Sequence, residues 1–498
     1  MDQTSLADRA IASVLWLLVG RWGQLALGLV TLTVMARYVG PEVYGLFALC
    51  YVVIGLSHAL GGAFAEALIQ RRTLDRHHED AVLAMSLVPA VMLAAVMVFG
   101  AKPLADLFGA AELVMVFPVM SVVVVLQALG AVPAALLQRD MRHRKLVAID
   151  NGAGLIGSLT GIGLAIAGFG IWSLVASETI RAFTRTCASM RVARWVPRLA
   201  TSRSAIVDIW PFGRKVVAIR LLQYVDRMTP RVVLGLVLGE AAVGYYALGW
   251  RIYEQIQNAL VTPMASVAMP VAARAQDDMP TLRAILKGAT TATSSIAYPA
   301  FIGAAAIAPV AIPFLLGNRW GPAVPVVQVL LLIGIRSAIS AFNGGVLRGL
   351  GRPDLQLGML AIGATATLVM VPIAAPYGVA AVGGAILARS FLTWPIGAAH
   401  IQRLTGLPLR TQARLGLEAL IAASVMGAFI LTLQQLFAWT PWVMIAISLS
   451  AGPLVYLGCF AALAPVTASA AFRASKAFAA GDRPRAKTIL RELSRSRL

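Results

Sequence analysis

Residues 441–464 read PWVMIAISLSAGPLVYLGCFAALA, a run of apolar and small residues in which no side chain is charged. A helix needs about 20 residues to cross the roughly 30 Å hydrocarbon core of a bilayer, so this run is long enough for one crossing. Similar runs recur along the chain, which is 59% hydrophobic and only 13% charged, with a mean hydropathy of +0.79. A soluble domain keeps about a quarter of its residues charged. The sequence therefore predicts an integral membrane protein that crosses the bilayer many times.

The runs are long and continuous, which favours helices over the short alternating strands of a membrane barrel. Helices also satisfy every backbone polar group internally, as hydrocarbon requires. We predict an all-α integral membrane fold of about fourteen transmembrane helices. Their approximate bounds are 11–36, 43–68, 81–101, 111–138, 147–168, 170–190, 212–238, 241–268, 286–315, 322–347, 355–375, 378–400, 415–436 and 441–464.

Lysine and arginine are distributed unequally between the two sides of these spans. Of the 42 in the chain, thirty lie near the N-terminus, in the C-terminal tail or at the connections that follow even-numbered spans, if Arg214, Lys215 and Lys287 in the first residues of the next spans are counted with those connections. The opposite connections hold three, namely Arg37, Lys102 and Arg319. Cytoplasmic connections are enriched in these residues, so both termini are predicted to be cytoplasmic. This topology accounts for the net charge of +20 without a nucleic-acid partner.

A short pattern occurs twice at an offset of 199 residues. Residues 39–49 read VGPEVYGLFAL and residues 238–248 read LGEAAVGYYAL, each with two glycines five residues apart before an aromatic residue and Ala-Leu. Six spans per copy would give two lobes of the same orientation, related by an axis along the membrane normal. We therefore predict a six-helix lobe at 1–200, a second at 201–404, helices 13 and 14 at 405–464, and a basic cytoplasmic tail at 465–498. The composition of the tail is typical of an amphipathic segment attracted to anionic lipid. It is equally typical of a C-terminal segment that is exposed to solvent.

The residue types that hold metals and cofactors are scattered. Cys50, Cys187 and Cys459 stand singly in apolar spans, so no metal site and no disulfide framework is expected. Glycines 152, 154 and 157 match a dinucleotide-binding pattern, but they lie in a membrane span with no strand before them. Together with Gly161 they are interpreted as a close helix contact. We expect no cofactor and no catalytic residue.

Nine arginines lie inside the predicted spans, and charges there usually face a cavity or a partner. In span 7, Arg220, Tyr224, Arg227 and Arg231 follow helical spacing along one face. Arginine binds diphosphates well because its planar guanidinium can make paired hydrogen bonds. The residues predicted to line a cationic substrate cavity are Arg21, Arg220, Arg227, Arg251 and Arg336.

Four clear acids share the same spans, so ion pairing is the alternative for part of this set. Arg251 lies three residues before Glu254, and Arg181 three residues after Glu178, which is the spacing of local ion pairs. Asp226 and Glu254 are candidates either for coupling transport to a cation or for salt bridges. The acids are too few to neutralise nine arginines.

Residues 36–45, ARYVGPEVYG, resemble the opening signature of the polysaccharide transporter family, the oligosaccharide flippases of the multidrug/oligosaccharidyl-lipid/polysaccharide flippase superfamily. Further similar stretches follow in order and extend the resemblance over most of the chain. They are residues 67–71 (ALIQR), 131–139 (AVPAALLQR), 170–176 (GIWSLVA), 320–326 (WGPAVPV) and 350–353 (LGRP).

The resemblance implies two six-helix bundles around a central cavity, working by alternating access in the bacterial inner membrane. It implies a substrate as well, an undecaprenyl-diphosphate-linked oligosaccharide used for exopolysaccharide, capsule or lipopolysaccharide biosynthesis. Membrane lipids, a polymerase and export machinery are the implied partners. In span 7 the chain reads QYVDRMTP at 223–230, with the acid at Asp226 and a proline where many relatives have an acid. That departure weakens any cation site inferred from the family.

Three other functions are compatible with a helical membrane bundle. A cation-coupled multidrug exporter would need acids and aromatics in its cavity, whereas the spans here are rich in arginine. A flippase for the lipid-linked peptidoglycan precursor shares the cationic chemistry and the number of spans, but the signature stretches favour the polysaccharide branch. A membrane glycan polymerase, ligase or glycosyltransferase would need a larger outer loop than the residues around 102–112 provide.

The unequal charge distribution predicts the side on which each connection lies. A reporter that is active only in the cytoplasm should be active when fused after Arg144 or Arg198, and silent when fused after Glu240. Reporter activity in cells carrying each fusion measures this directly. The reverse pattern would overturn the predicted orientation.

Overall fold

The computed structural model describes Gly23 and residues 27–71, 74–198, 200–437 and 439–465. Secondary structure in these residues is helical, as predicted, and they contain no strand. Arg21, most of the first predicted span and the basic tail lie outside the described residues. The described chain forms two compact units. One contains the described residues up to Ala247 together with Val371–Gly378, and the other contains Leu248–Met370 together with the described residues from Val379 onward.

The first unit is a bundle of long helices. Its buried apolar side chains include Phe117 and Met120 in one cluster and Leu68 and Leu83 in another. The helices are α1 (Leu27–Val39), α2 (Pro41–Gln70), α3 (Arg76–Phe99), α4 (Ala101–Leu107), α5 (Leu113–Arg139), α6 (His143–Ile166), α7 (Ile171–Ala193), α8 (Arg203–Leu238) and the first part of α9 (Glu240–Ile256).

The second unit begins within α9 and is built around α12, whose Tyr298 and Phe301 are fully buried. Its helices are the rest of α9, α10 (Thr262–Ala265), α11 (Ala268–Arg274), α12 (Met279–Leu316), α13 (Val324–Ile339), α14 (Asn343–Gly349), α15 (Pro353–Ala374), α16 (Val379–Thr405), α17 (Leu409–Arg414), α18 (Leu417–Leu436) and α19 (Pro441–Leu463). The last four residues of α15 are assigned to the first unit.

Eleven helices or helical runs in the described part are long and apolar enough to cross a membrane, and each overlaps a predicted span. Helix α1 is apolar but short as described. Helices α7 and α8, of 23 and 36 residues, fall outside that set of eleven. Both carry several charged residues, which lowers their mean hydropathy. The total of fourteen crossings stays a prediction.

Local sequence explains where several helices begin. The Ser202 hydroxyl accepts a hydrogen bond from the backbone N–H of Ala205 at 3.2 Å, and Asp278 caps α12 in the same way through Thr281. Such side chains satisfy backbone donors that have no partner within the helix. Hydrogen bonds from Thr281 lower the pKa of the Asp278 carboxyl. Pro441 begins α19, where its missing N–H costs nothing.

The repeated turn has the same backbone conformation in both copies. Gly40 has φ of 82° and Gly239 has φ of 81°, a region that side-chain-bearing residues rarely adopt. The two turns also contact each other reciprocally. A Cβ on Gly45 would overlap the Glu240 carbonyl oxygen, and one on Gly244 would overlap that of Pro41. The N-terminal turns of α2 and α9 therefore pack backbone to backbone. The six-helix lobes themselves stay a prediction.

Glycine also allows α6 and α7 to approach closely. A Cβ on Gly157 would lie 2.7 Å from the Ser177 carbonyl oxygen, and one on Gly161 would lie 2.8 Å from the Ser177 Cβ. The interpretation of these two glycines as a helix contact is confirmed. A Cβ on Gly152 would meet nothing within 4 Å.

The predicted span 241–268 is not one regular helix. After α9 come a π-helical turn, Gln257–Val261, and the short helices α10 and α11. The Ser337 hydroxyl donates to the Gln257 side chain at 2.8 Å, which ties this turn to α13. Pro263 and Pro270 lack the N–H that a regular helix would need at those positions. Hydropathy identified the run but not its interruption.

Gly45→Ala should lower the thermal stability of the purified protein, because the new methyl group cannot fit against the Glu240 carbonyl. Overpacking of this kind costs about 1–3 kcal/mol. Gly163→Ala is the matched control, since a Cβ there meets nothing within 4 Å. Equal melting temperatures for the two variants would contradict the reciprocal contact.

Candidate functional site

A cavity of about 660 Å³ lies within the first unit. Helices α2 and α5 form most of its wall, and single residues of α6, α7 and α8 complete it. The lining residues are Ser57, Gly61, Gly62, Ala65, Glu66, Ile69, Gln127, Ala128, Ala131, Ala134, Ala135, Gln138, Leu146, Arg185 and Arg220.

Small side chains create this space. Gly61, Gly62 and Ala65 lie within about one turn of α2, and Ala128 and Ala131 follow the same spacing on α5. Helices that cross with side chains of this size leave a void where larger residues would interdigitate. The wall is therefore mostly apolar, with a few polar groups at defined positions.

The Arg220 guanidinium donates a hydrogen bond through Nη2 to the Glu66 carboxylate, forming an ion pair between α8 and α2. Gly62 lies one turn before Glu66, and a Cβ there would be 2.7 Å from Arg220 Nη1. The glycine thus leaves the room that the guanidinium occupies. Arg220, which the sequence predicted as a cavity residue, lines the cavity in this paired state.

Arg185, which also lines this cavity, and Arg181 one turn before it are paired as well. Arg185 donates to Asp150 at 2.7 Å, joining α7 to α6. Arg181 pairs with Glu178, as the three-residue spacing predicts, and donates to the Tyr51 hydroxyl at 3.2 Å. Each of these guanidinium groups thereby has a carboxylate beside it, which offsets the cost of removing it from water.

Two neutral amides, Gln127 and Gln138, and the hydroxyl-bearing Ser57 complete the polar part of the wall. The buried Gln127 Oε1 has no hydrogen-bond partner among the described residues. A buried acceptor in that state costs free energy. The cavity lining therefore contains an ion pair and a buried acceptor without a partner among the described residues.

The face of α8 that carries Arg220 packs against α2 in antiparallel register. A Cβ on Gly55 would lie 3.1 Å from the Tyr224 ring, and one on Gly235 would lie 2.8 Å from Leu49. Glycines on both helices bring the two backbones together along this seam. Arg220 lies on this seam, beside Gly62.

Arg231 lies further along α8, among four tyrosines. The tyrosines that interact electrostatically with its guanidinium are Tyr44, Tyr51, Tyr224 and Tyr246. Its Nη1 donates to the Met228 sulfur at 3.4 Å, a weak acceptor. Phenol oxygens and a guanidinium together suit sugar hydroxyls and anionic groups. Three of these tyrosines were missed by the sequence reasoning, although Tyr44 lies inside the quoted signature.

The remaining predicted site residues are divided between the units. Asp226 and Arg227 lie on α8 in the first unit, with Arg227 exposed. Arg251 and Glu254 lie on α9 and Arg336 on α13, all in the second unit. The Gln257–Ser337 hydrogen bond links the turn after α9 to α13, beside Arg336. Of the predicted set, the described cavity of the first unit contains Arg220 alone.

Sequence signals for this cavity were present in two of the signature stretches. Residues 67–71 and 131–139 supply Ile69, Ala131 and Gln138 to its wall. Arg139 ties the stretches together, donating to the carbonyls of Leu68 at 2.5 Å and Arg71 at 2.6 Å. Those carbonyls end α2 and would otherwise lack partners.

The fold is that of flippases and drug transporters. The chain superposes on the lipid II flippase MurJ, in an inward closed conformation, with a TM-score of 0.73 at 14% identity, covering 90% of this chain and 98% of that one. An inward-facing MATE family multidrug transporter gives a TM-score of 0.60 at 17% identity, over 78% of this chain and 99% of that one. The protein is therefore a multi-pass helical membrane protein with this fold.

A family model described as polysaccharide biosynthesis protein matches residues 34–325, more than half of the chain. The chain belongs to that family. The succinoglycan biosynthesis transport protein ExoT of Rhizobium meliloti is 28% identical over 369 residues, 74% of each chain. The lipopolysaccharide biosynthesis protein WzxC of Escherichia coli is 25% identical, over 71% of this chain and 72% of its own. The teichuronic acid biosynthesis protein TuaB of Bacillus subtilis is 24% identical, over 82% and 86%.

The Glu66–Arg220 ion pair predicts non-additive stability. Glu66→Ala and Arg220→Ala should each destabilise the protein, and the double variant should lose less than the sum. The pair is partly exposed, so we expect a coupling free energy of roughly 1 kcal/mol. Chemical or thermal unfolding of the four proteins measures it. Glu66→Ala combined with Arg352→Ala is the control, because Arg352 pairs with Asp354 in the other unit, and should be additive. Additivity in both cycles would contradict the pair.

Proposed function

We propose that this protein is a flippase that moves an undecaprenyl-diphosphate-linked oligosaccharide across the bacterial inner membrane for exopolysaccharide, capsule or lipopolysaccharide biosynthesis. The observation that carries the proposal is an arginine-bearing cavity within a membrane bundle of the polysaccharide biosynthesis family. Relatives named for succinoglycan, lipopolysaccharide and teichuronic acid biosynthesis support the substrate class. Such a protein moves its substrate without making or breaking a covalent bond in it.

The polar headgroup is the part of the proposed substrate that is costly to move through the membrane. A diphosphate and several sugars cannot enter hydrocarbon without losing their hydrogen bonds to water, which costs many kcal/mol unless protein groups replace them. Guanidinium groups fit the diphosphate through paired, charge-assisted hydrogen bonds. Amides and tyrosine hydroxyls fit sugars. Arg220, Gln127, Gln138 and the tyrosines around Arg231 are groups of these kinds.

Glu66 gives Arg220 a carboxylate to pair with when no substrate is bound. An incoming diphosphate competes for the same guanidinium with more negative charge and more acceptor oxygens. Exchange of one anion for the other keeps the arginine paired throughout and avoids a bare charge in the bundle. Arg21, Arg227, Arg251 and Arg336 are proposed to extend the cationic path. Asp226 and Glu254 are proposed as their salt-bridge partners or as sites that couple transport to a cation.

Alternating access requires one end of the path to be closed at a time. We assign the reciprocal contact between the turns at Gly45 and Gly244 to the outer closure, because both turns follow spans that run toward the outer side in the proposed topology. Backbone atoms in contact leave no gap for a headgroup. The two proposed lobes, 1–200 and 201–404, would separate here when the path opens outward. Both termini are cytoplasmic in this proposal, and a polymerase and export machinery would act on the delivered substrate.

The function is tested in the source strain with its own copy of the gene deleted. The intact gene should restore surface polymer and prevent accumulation of the lipid-linked oligosaccharide on the cytoplasmic side. Arg220→Ala should reduce export by roughly ten- to a hundredfold, since a hydrogen bond to a charged group is worth about 1.5–3 kcal/mol. Arg220→Lys should restore part of it, because lysine keeps the charge but lacks the planar fork.

Arg352→Ala is the matched control and should export normally, since its side chain pairs on the surface with Asp354. Protein level in the membrane is measured for every variant. Full export from Ala variants of Arg220, Arg227, Arg251 and Arg336 would overturn the cationic path. Rescue of a strain depleted of its lipid II flippase, without restoration of the polymer, would replace this function with that of a peptidoglycan precursor flippase.

A further inference from the structure

A second hollow of about 610 Å³ lies between α6 and α7 in the first unit, on a different face of both helices from the cavity. On α6 its wall follows Lys145, Ile149, Gly152 and Ile156 at helical spacing, whereas Leu146 faces the cavity. We name this hollow the α6–α7 groove. Its remaining residues are Ala148, Ala153, Thr184, Ala188, Arg191, Val192 and Arg194.

One end of the groove is cationic. Lys145 lies in the first turn of α6, Arg191 in the last turn of α7, and Arg194 caps α7. All three side chains are exposed, and none pairs with a described acid. The nearby acids already form salt bridges. Asp150 pairs with Arg185, and the Asp140 carboxylate pairs with the Arg142 guanidinium at 3.4 Å. The groove mouth therefore carries three uncompensated positive charges.

Apart from Thr184, the rest of the groove is lined by apolar residues. The side chains of Ala148 and Ala188 and the missing side chain of Gly152 leave the groove unfilled. A Cβ on Gly152 would meet nothing within 4 Å. Ile156 is 46% exposed, and Leu155 and Leu159 beside it are more so. A charged mouth continuous with an apolar channel matches a molecule that has an anionic head and a hydrocarbon chain.

The helix dipole accounts for only part of the positive charge at the groove mouth. Cations favour the C-terminal end of a helix, which suits Arg191 and Arg194 on α7. Lys145 lies at the N-terminal end of α6, where the helix dipole disfavours a cation. Arg194 also has φ of 53°, a left-handed conformation in which glycine is the low-cost residue. Lys145 and Arg194 are therefore cations at positions where the helix dipole or the backbone conformation makes them unfavourable.

We propose that the α6–α7 groove binds an anionic phospholipid of the cytoplasmic leaflet. Its phosphate lies among Lys145, Arg191 and Arg194, and one acyl chain follows Ala148, Gly152 and Ile156. The connections that carry these cations are on the cytoplasmic side in the proposed topology, where basic pockets between membrane helices meet anionic headgroups. A phospholipid is favoured over the transported substrate because the groove faces away from the cavity.

The site is tested on the purified full-length protein in detergent. Phosphatidylglycerol should raise the unfolding temperature and remain bound in native mass spectrometry, whereas phosphatidylcholine with the same acyl chains should do neither. The triple variant Lys145→Gln, Arg191→Gln, Arg194→Gln should lose most of this selectivity. The triple variant Arg403→Gln, Arg410→Gln, Arg414→Gln removes the same charge from exposed positions of the second unit and should retain it.

Filling the channel gives an independent test that leaves the charges in place. Gly152→Leu projects a side chain into open space and replaces glycine in a helix by a better helix former, so the fold should be kept. It should abolish the phosphatidylglycerol effect. Gly163→Leu lies on the same helix, also meets nothing within 4 Å, and should leave the effect intact.

Three results would overturn the proposal. They are equal stabilisation by both phospholipids, unchanged selectivity in the charge and Gly152 variants, and displacement of phosphatidylglycerol by undecaprenyl diphosphate that then depends on Lys145, Arg191 and Arg194. The last result would make the groove a substrate entry site. Polymer export by the Gly152 variant is measured separately, so a failed flippase assay and a failed lipid assay are distinguishable.

Discussion

Hydrocarbon offers no hydrogen-bond partner, and most features of this protein follow from that constraint. Backbone N–H and C=O groups must bond within their own segment, which leaves helices as the structural unit throughout the described chain. Where a helix ends, another group must satisfy its last carbonyls. Arg139 does so for α2, and its two hydrogen bonds hold together the segments that form the inner wall of the cavity.

The same constraint governs the charged side chains. Arg220, Arg185 and Arg181 each lie beside a carboxylate, and each pair joins helices or stabilises one of them. Such pairs add little net stability compared with apolar packing, but breaking one strands a charge. In the proposed mechanism these pairs are retained because a site for a diphosphate headgroup needs arginines, and the arginines need partners while the site is empty.

Glycine residues determine how closely the helices approach one another. Gly55 and Gly62 admit the aromatic and guanidinium groups of α8, and Gly45 and Gly244 bring two helix starts into backbone contact. The hydrophobic effect does not drive helices together inside the membrane, because lipid tails are as apolar as the side chains. Close packing of small residues is therefore a main source of helix association there. The same residues that hold the bundle together also create the cavity and, in the proposed mechanism, close one end of the path.

Hydropathy alone placed α5, α18 and α19 within a few residues of their observed bounds, because an apolar run of fixed length is a local property of the chain. The Glu178–Arg181 pair was predictable for the same reason, since its members are three residues apart. Hydropathy did not predict the break at Gln257–Val261, although Pro263 and Pro270 follow it in the sequence, and the hydrogen bond that ties it to Ser337 joins residues 80 positions apart. Likewise Arg220 was named from the sequence, but its partner Glu66 is 154 residues distant and could be found only when α2 and α8 packed. The sequence by itself determined the membrane class, the positions of most long helices and the family. The tertiary structure decided which charges meet and where space remains, since both depend on helix packing between residues far apart in the chain.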